Sequence, residues 1–184
     1  IDTGFLFFVI DQNGYVSGSG KGGGQFSLEK FGNLCEREWY RVFCSYDWTA
    51  EVVTLGCAAH STSVRGALIQ ETFPCPGVDL SPEITEVSVA CLLDPEAKAF
   101  FNGKIEAPCI YNKSVDSLMA AHTEVQTGDP AIYAAWDFSL RIESDTAVDA
   151  GPNELHGTLH NIPTRAVRGA SWSGNEMCWR HAPD

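Results

Sequence analysis

His156 and His160 stand four residues apart, the spacing at which two imidazoles on one helical face can hold a metal ion. Gly157 and the turn residues around the pair read as a strand instead, where positions four apart share a face but lie about 13 Å apart along it. Imidazoles hydrogen-bonded at a sheet rim are therefore the favoured reading, since two ligands without a third make a weak site. Asp149, Asn153 and their neighbours carry oxygens of the kind calcium takes, but that ion wants roughly six to eight of them. An Asp-Asn turn capping its own backbone accounts for the same residues without a metal.

Hydrolytic patterns are weaker. Glycoside cleavage needs two carboxylates about 5 to 10 Å apart. Glu36 and Glu38 fall in a loop before Trp39, and Glu83 and Glu86 have the wrong period for one strand face, so both pairs read as ordinary surface acids. Gly18-Ser19-Gly20-Lys21-Gly22-Gly23 fits G-x-G-x-x-G formally, yet no helix follows to aim backbone amides at a pyrophosphate. Ser19 lacks the G-x-S-x-G elbow. A nucleophilic cysteine needs an exposed, electropositive setting; Cys44, Cys57 and Cys91 lie in apolar strands, which leaves Cys178, near Arg180 and His181, as the thiol to test. No catalytic or metal-binding residue is assigned. Two groups suit binding. Trp48, on a turn, suits stacking against a ligand ring. Trp172 and Trp179 with Arg165, Arg168 and Arg180 are residue types that anchor interfaces.

The elements that must position these residues are short strands. Phe5 to Ile10, then Asp11-Gln12-Asn13-Gly14 and Tyr15-Val16, spell a hairpin through its Asn-Gly pair. Glycines at 18, 20, 22, 23 and 24 suggest a flexible turn before Phe26 and Leu28 resume alternation. Trp39 to Tyr46 and Glu51 to Cys57 form a second hairpin about the turn Asp47-Trp48-Thr49-Ala50. Residues 58 to 83, with Pro74, Pro76 and Pro82, promise little regular structure except around Ala67 to Thr72. Ile84 to Leu93, Phe100 to Ile105, Ile110-Tyr111, Tyr133 to Phe138, Gly157 to Leu159 and Ala166-Val167 continue the strands. One peripheral helix is expected over Val115 to Glu124, capped by Ser114. The fold class expected is all-β, a two-sheet antiparallel jelly-roll sandwich with that one short helix.

Composition bounds the function. The 184 residues (20.0 kDa) suit a single domain over 1–184. Twelve Lys and Arg against 24 Asp and Glu give a net charge of −12, which repels phosphate backbones and argues against nucleic acid. With 44% hydrophobic residues the chain can build a core. The apolar run Gly4 to Ile10 is too short to cross a bilayer and lacks a signal peptide's basic flank, so no membrane association is expected. Seven cysteines, an odd number without C-x-x-C, favour reduced buried thiols and a cytoplasmic location. Ile1 is not methionine and the chain opens directly into a strand, so a processed product or a piece of something longer is expected.

Phe100 to Asn112, read as strand, Asn-Gly turn, strand and then a short helix, resembles the ending of a laminin-G or concanavalin-A-like jelly roll. The Trp39-Tyr40 strand, the Asp47 turn and Ile84 to Leu93 fall where that fold has them. The tail is more specific: Ala134-Ala135-Trp136-Asp137-Phe138-Ser139, Val148-Asp149-Ala150, Leu155-His156-Gly157, Asn161 to Val167, and Gly169 to Trp172 with Gly174. It is similar to the N,N-dimethylformamidase large (beta) subunit family, in which a laminin-G-like domain precedes the catalytic region. The resemblance implies that residue 1 falls inside the sandwich and that the tail, about 134–184, leads toward a neighbouring domain. It implies a mononuclear iron held by tyrosine and glutamate in that adjoining catalytic region, none of whose ligands maps onto a position here. The chain would be a non-catalytic accessory or assembly domain of an amide hydrolase that converts an N-substituted formamide to formate and an amine. Its partners would be the adjoining catalytic domain and the small subunit. The alternatives are a carbohydrate-binding lectin-like module presenting Trp48 and, more weakly, a free-standing sandwich glycosidase.

Overall fold

The structure, a computed structural model, describes residues 6–10, 16–20, 25–35, 38–60, 67–76, 87–93, 97–98, 100–113, 128–161 and 163. These residues are mostly β-sheet; the one helical element among them is a single 3-10 turn, Glu29–Phe31. The chain divides into two compact units, one of Ile1–Ala59, Ala67–Gly103 and Ser114–Ala121, the other of His60–Gly66, Lys104–Lys113 and His122–Asp184. The expected helix over Val115 to Glu124 and the strand at Ala166-Val167 lie outside the described residues.

In the first unit, β1 (Leu6–Ile10), β2 (Val16–Gly20) and β3 (Gln25–Ser27) form an antiparallel meander in which Ile10 faces Val16 and Ser17 faces Ser27. Gly18 and Gly20, expected in a turn, lie inside β2, where Gly18 pairs with Phe8 on one side and Phe26 on the other. A second meander joins β4 (Tyr40–Asp47), β5 (Val52–Ala59) and β6 (Ile69–Pro74). Val53, Leu55 and Cys57 alternate onto one face of β5 and are fully buried, as a strand's two-residue side-chain period requires.

Those three side chains share one core with Val16, Phe26, Leu28 and Cys75, so both three-stranded sheets feed a common interior. The Phe26 and Phe73 rings stack at 5.6 Å, joining β3 to β6. Phe31 meets Tyr40 edge-on at 5.7 Å. Lys30, on the 3-10 turn, reaches Glu71 of β6 at 3.1 Å, which gives a counter-charge to the one acid on the inward-facing row of that strand. On the opposite face of β5 the ring of Phe43 lies over its cross-strand partner Gly56, within 2.0 Å of where a Cβ would stand.

The rest of this unit departs from the strand expected over Ile84 to Leu93. Of its described residues only Leu92–Leu93 is a strand, β7, paired with β8 (Ala97–Lys98). Ala90 takes a left-handed φ of 70° and Ser88 Oγ donates to the Cys91 carbonyl, so the run bends before pairing. Phe100 to Ile105, also expected as a strand, is irregular; the Phe101 N–H donates to the Ala90 carbonyl, and none of these residues joins a ladder.

The second unit holds a four-stranded antiparallel sheet in the order β12-β11-β10-β9, built from β9 (Cys109–Tyr111), β10 (Ile132–Asp137), β11 (Thr146–Asp149) and β12 (Gly157–Thr158). The register of β9 against β10 slips between Ile132 and Ala134. Ala131, Ala134, Ala135 and Ala147 are buried beside Ile132, the one large buried side chain of this unit among the described residues. In every described sheet, hydrogen-bonded neighbours are consecutive in the chain.

Candidate functional site

Trp48 sits where expected, on the turn between β4 and β5, and is 77% exposed. The turn beneath it is fixed. Asp47 Oδ1 accepts the N–H groups of Thr49 at 2.9 Å and Ala50 at 3.0 Å, an Asx turn of the kind aspartate favours. Glu51 closes it in a left-handed conformation, φ 52°, and its carbonyl accepts the Cys75 N–H. An indole held out by an ordered turn presents a flat apolar face at low entropic cost. Phe100 and Phe101 are also exposed, with Val87 and Val89 of the segment that Phe101 bonds to.

The most connected polar group is Asp149, 4% exposed at the end of β11. Its Oδ1 accepts the N–H groups of Ala135 and Gly151, each at 2.8 Å, and its Oδ2 accepts that of Leu155 at 2.8 Å. Burial pushes this carboxyl up, but the three backbone donors outweigh it and, with His156 beside it, hold the group below the usual carboxylate range. The Asp149 N–H donates to His156 Nδ1 at 3.1 Å. Asn153 Nδ2 donates to the Tyr133 carbonyl at 2.8 Å, and Trp136 Nε1 to that of Leu155 at 2.9 Å. The loop from Ala150 to His156 is thus tied to β10 and β11 at every polar side chain named.

Asp149, Asn153 and His156 do come together, as parts of this loop anchor. Both carboxylate oxygens of Asp149 are engaged by backbone, and the bond from the Gly151 N–H is that of the expected turn. His160 lies beyond β12 and, like His156, is exposed. The reach of Asp149 across to Ala135, fourteen residues back in the chain, was not visible in the sequence. The available signal was a lone aspartate between Val148 and Ala150 in an apolar run, since a buried carboxylate must find donors.

The thiols follow the expected burial in part. Cys57 and Cys75 are buried, whereas Cys44, Cys91 and Cys109 are half-buried and Cys35 is exposed. Burial pushes Cys44, with Cys75 adding, and Cys57 each up to about 12, so neither supplies a thiolate at neutral pH. Cys178, Trp172, Trp179, Arg165, Arg168 and Arg180 lie outside the described residues, as do Glu36, Glu83 and Glu86. Among the described residues no group of three or more His, Cys, Asp or Glu comes together that could hold a metal ion. No described helix is long and apolar enough to cross a membrane.

No family model matches the chain. Two curated relatives do. An N,N-dimethylformamidase beta subunit from Paracoccus aminophilus is 37% identical over 172 residues, 82% of this chain and 23% of the relative. Another of that name, from an Alcaligenes species, is 34% identical over 94 residues, 47% of this chain and 12% of the relative. The chain is similar to dimethylformamidase beta subunits. It spans less than a quarter of the length of the curated relatives it matches.

Proposed function

We propose that the chain is an all-β component of a dimethylformamidase-like enzyme, a jelly-roll accessory domain that supports assembly while bond cleavage takes place elsewhere. The observation that carries this reading is the 37% identity to a dimethylformamidase beta subunit, extending over 82% of the chain. The sandwich part of the reading draws on the two antiparallel meanders of the first unit, whose inner faces meet in one core. The accessory part draws on the chemistry of the polar groups: the buried Asp149 carboxylate is engaged by three backbone donors, and burial holds the Cys44 and Cys57 thiols protonated. The reaction of the whole enzyme would be hydrolysis of an N-substituted formamide to formate and an amine. An iron centre, a catalytic domain and a small subunit would be supplied by other parts of that enzyme.

The purified chain, incubated with N,N-dimethylformamide and iron(II), is expected to release no formate above buffer. Co-expression with the remainder of a dimethylformamidase beta subunit and its small subunit is expected to give a co-purifying, active assembly. Robust formate release by the chain alone would overturn the accessory role. Failure to join the assembly would overturn the assignment to this enzyme.

A second reading, a carbohydrate-binding module, draws on Trp48 alone, whose indole is 77% exposed on a fixed turn. Binding to a glycan array that disappears in Trp48→Ala would favour it, and a silent array would remove it.

A further inference from the structure

The irregular segment after β8 contains an Asn-Gly pair that no ladder protects. Asn102 and Gly103 are both exposed. The Phe101 N–H is bonded to the Ala90 carbonyl, and the Pro108 carbonyl accepts the Trp136 N–H. Among the described residues, neither Asn102 nor Gly103 makes a hydrogen bond. The asparagine side chain is thus free to rotate toward the following backbone nitrogen. Among the described residues no acceptor holds that nitrogen's proton. Gly103 has no Cβ to crowd the approach.

Other described asparagines differ in the residue that follows, in a bonded amide, or in both. Asn112 Nδ2 is bonded to the Pro130 carbonyl at 3.4 Å and Lys113 follows it. Asn153 Nδ2 is bonded to the Tyr133 carbonyl at 2.8 Å and Glu154 follows it. Asn33 is followed by Leu34 and Asn161 by Ile162. Only Asn102 in this group combines a free amide with a glycine neighbour.

We propose that Asn102 is a site of spontaneous deamidation. The Gly103 backbone nitrogen, once its proton is taken by hydroxide, attacks Asn102 Cγ. The N–Cγ bond forms, the Cγ–Nδ2 bond breaks, and the side-chain nitrogen leaves as ammonia after gaining a proton from water. Nothing is oxidised or reduced. Water then opens the succinimide at either carbonyl, giving aspartate or isoaspartate. Each product adds a negative charge to a chain already at −12. Isoaspartate also inserts a backbone atom at the point where the chain leaves one compact unit at Gly103 and enters the other at Lys104.

The test is to hold the purified chain in mildly alkaline buffer and follow the tryptic peptide 99–104 by mass spectrometry, with an isoaspartate assay on the same samples. Asn102 is expected to convert ahead of Asn33, Asn112 and Asn153, with a rate that rises with pH. The isoaspartate in this peptide is expected to be lost in Asn102→Gln. Gly103→Ala is expected to slow conversion; because a Cβ there meets the Phe101 ring at 2.5 Å, the glutamine variant serves as the independent check. Asn13-Gly14 is read on a separate peptide. Conversion no faster than at Asn112 and Asn153, or an Asn102 that stays intact in the folded chain while converting in urea, would overturn the proposal.

Discussion

Phe43 places its ring over the Cα of Gly56, its direct partner across the β4–β5 ladder, in the space that any larger residue would need. The pair covers the face of β5 opposite the core, so that the strand is enclosed on both sides at this point.

Gly56→Ala is therefore expected to destabilise the fold. The new methyl group would meet Phe43 Cε1 at 2.0 Å, and the ring must leave its position. Overpacking of this kind costs about 1–3 kcal/mol. Urea unfolding of Gly56→Ala beside Phe43→Leu with Gly56→Ala checks it, since the smaller side chain should recover part of the loss.

Asp149→Asn tests the loop anchor. An amide in the same pose keeps one oxygen for Ala135 and Gly151 but turns an N–H₂ group toward the Leu155 N–H, donor against donor. Leaving a buried donor without an acceptor costs about 1–3 kcal/mol. Hydrogen exchange should show earlier opening at Ala135, Gly151 and Leu155 than in the parent chain.

The same carboxyl sets an acid limit. Burial alone would raise it, but the three backbone donors hold it below the ordinary aspartate value of 3.8. Its folded form binds a proton less readily than its unfolded form, so the stability it contributes is present at neutral pH. That contribution declines as the pH falls through 3.8 and is gone below the folded value. Urea midpoints measured from neutral pH down to about pH 2 should fall more steeply in the parent than in Asp149→Asn, which has no proton to bind there.

Thiol reactivity should rank by burial. Cys35 is exposed and is expected to alkylate in the native chain at neutral pH. Cys44 and Cys57, each held protonated with values of about 12, are expected to react only when the chain unfolds. Iodoacetamide labelling with and without urea, read by peptide mapping, checks the order.

What the sequence made legible was local. The alternation of Val53, Leu55 and Cys57 and the aspartate at 47 mark β5 and its turn from neighbouring residues alone, and both are present. Elements fixed by distant partners were not legible. Gly18 looks like a turn residue until Phe8 and Phe26 are paired on either side of it, and Gly20 until it is paired with Leu6. β11, Thr146–Asp149, is too short and mixed to announce itself, and gains its strand geometry from β10 and β12. Ile84 to Leu93 has the β-branched residues of a strand, yet in its described part the backbone turns at Ala90. Of the site, Trp48 on its turn was readable, while the role of Asp149 depended on a donor in another strand.

The consecutive order of strands in each described sheet bears on how the chain reaches this state. Ladders between sequence neighbours close small loops, so each meander can form with little entropy lost to bringing remote segments together. Folding kinetics should accordingly be quick for an all-β chain, with the slower step being the meeting of the two meanders of the first unit over Leu55 and Phe26.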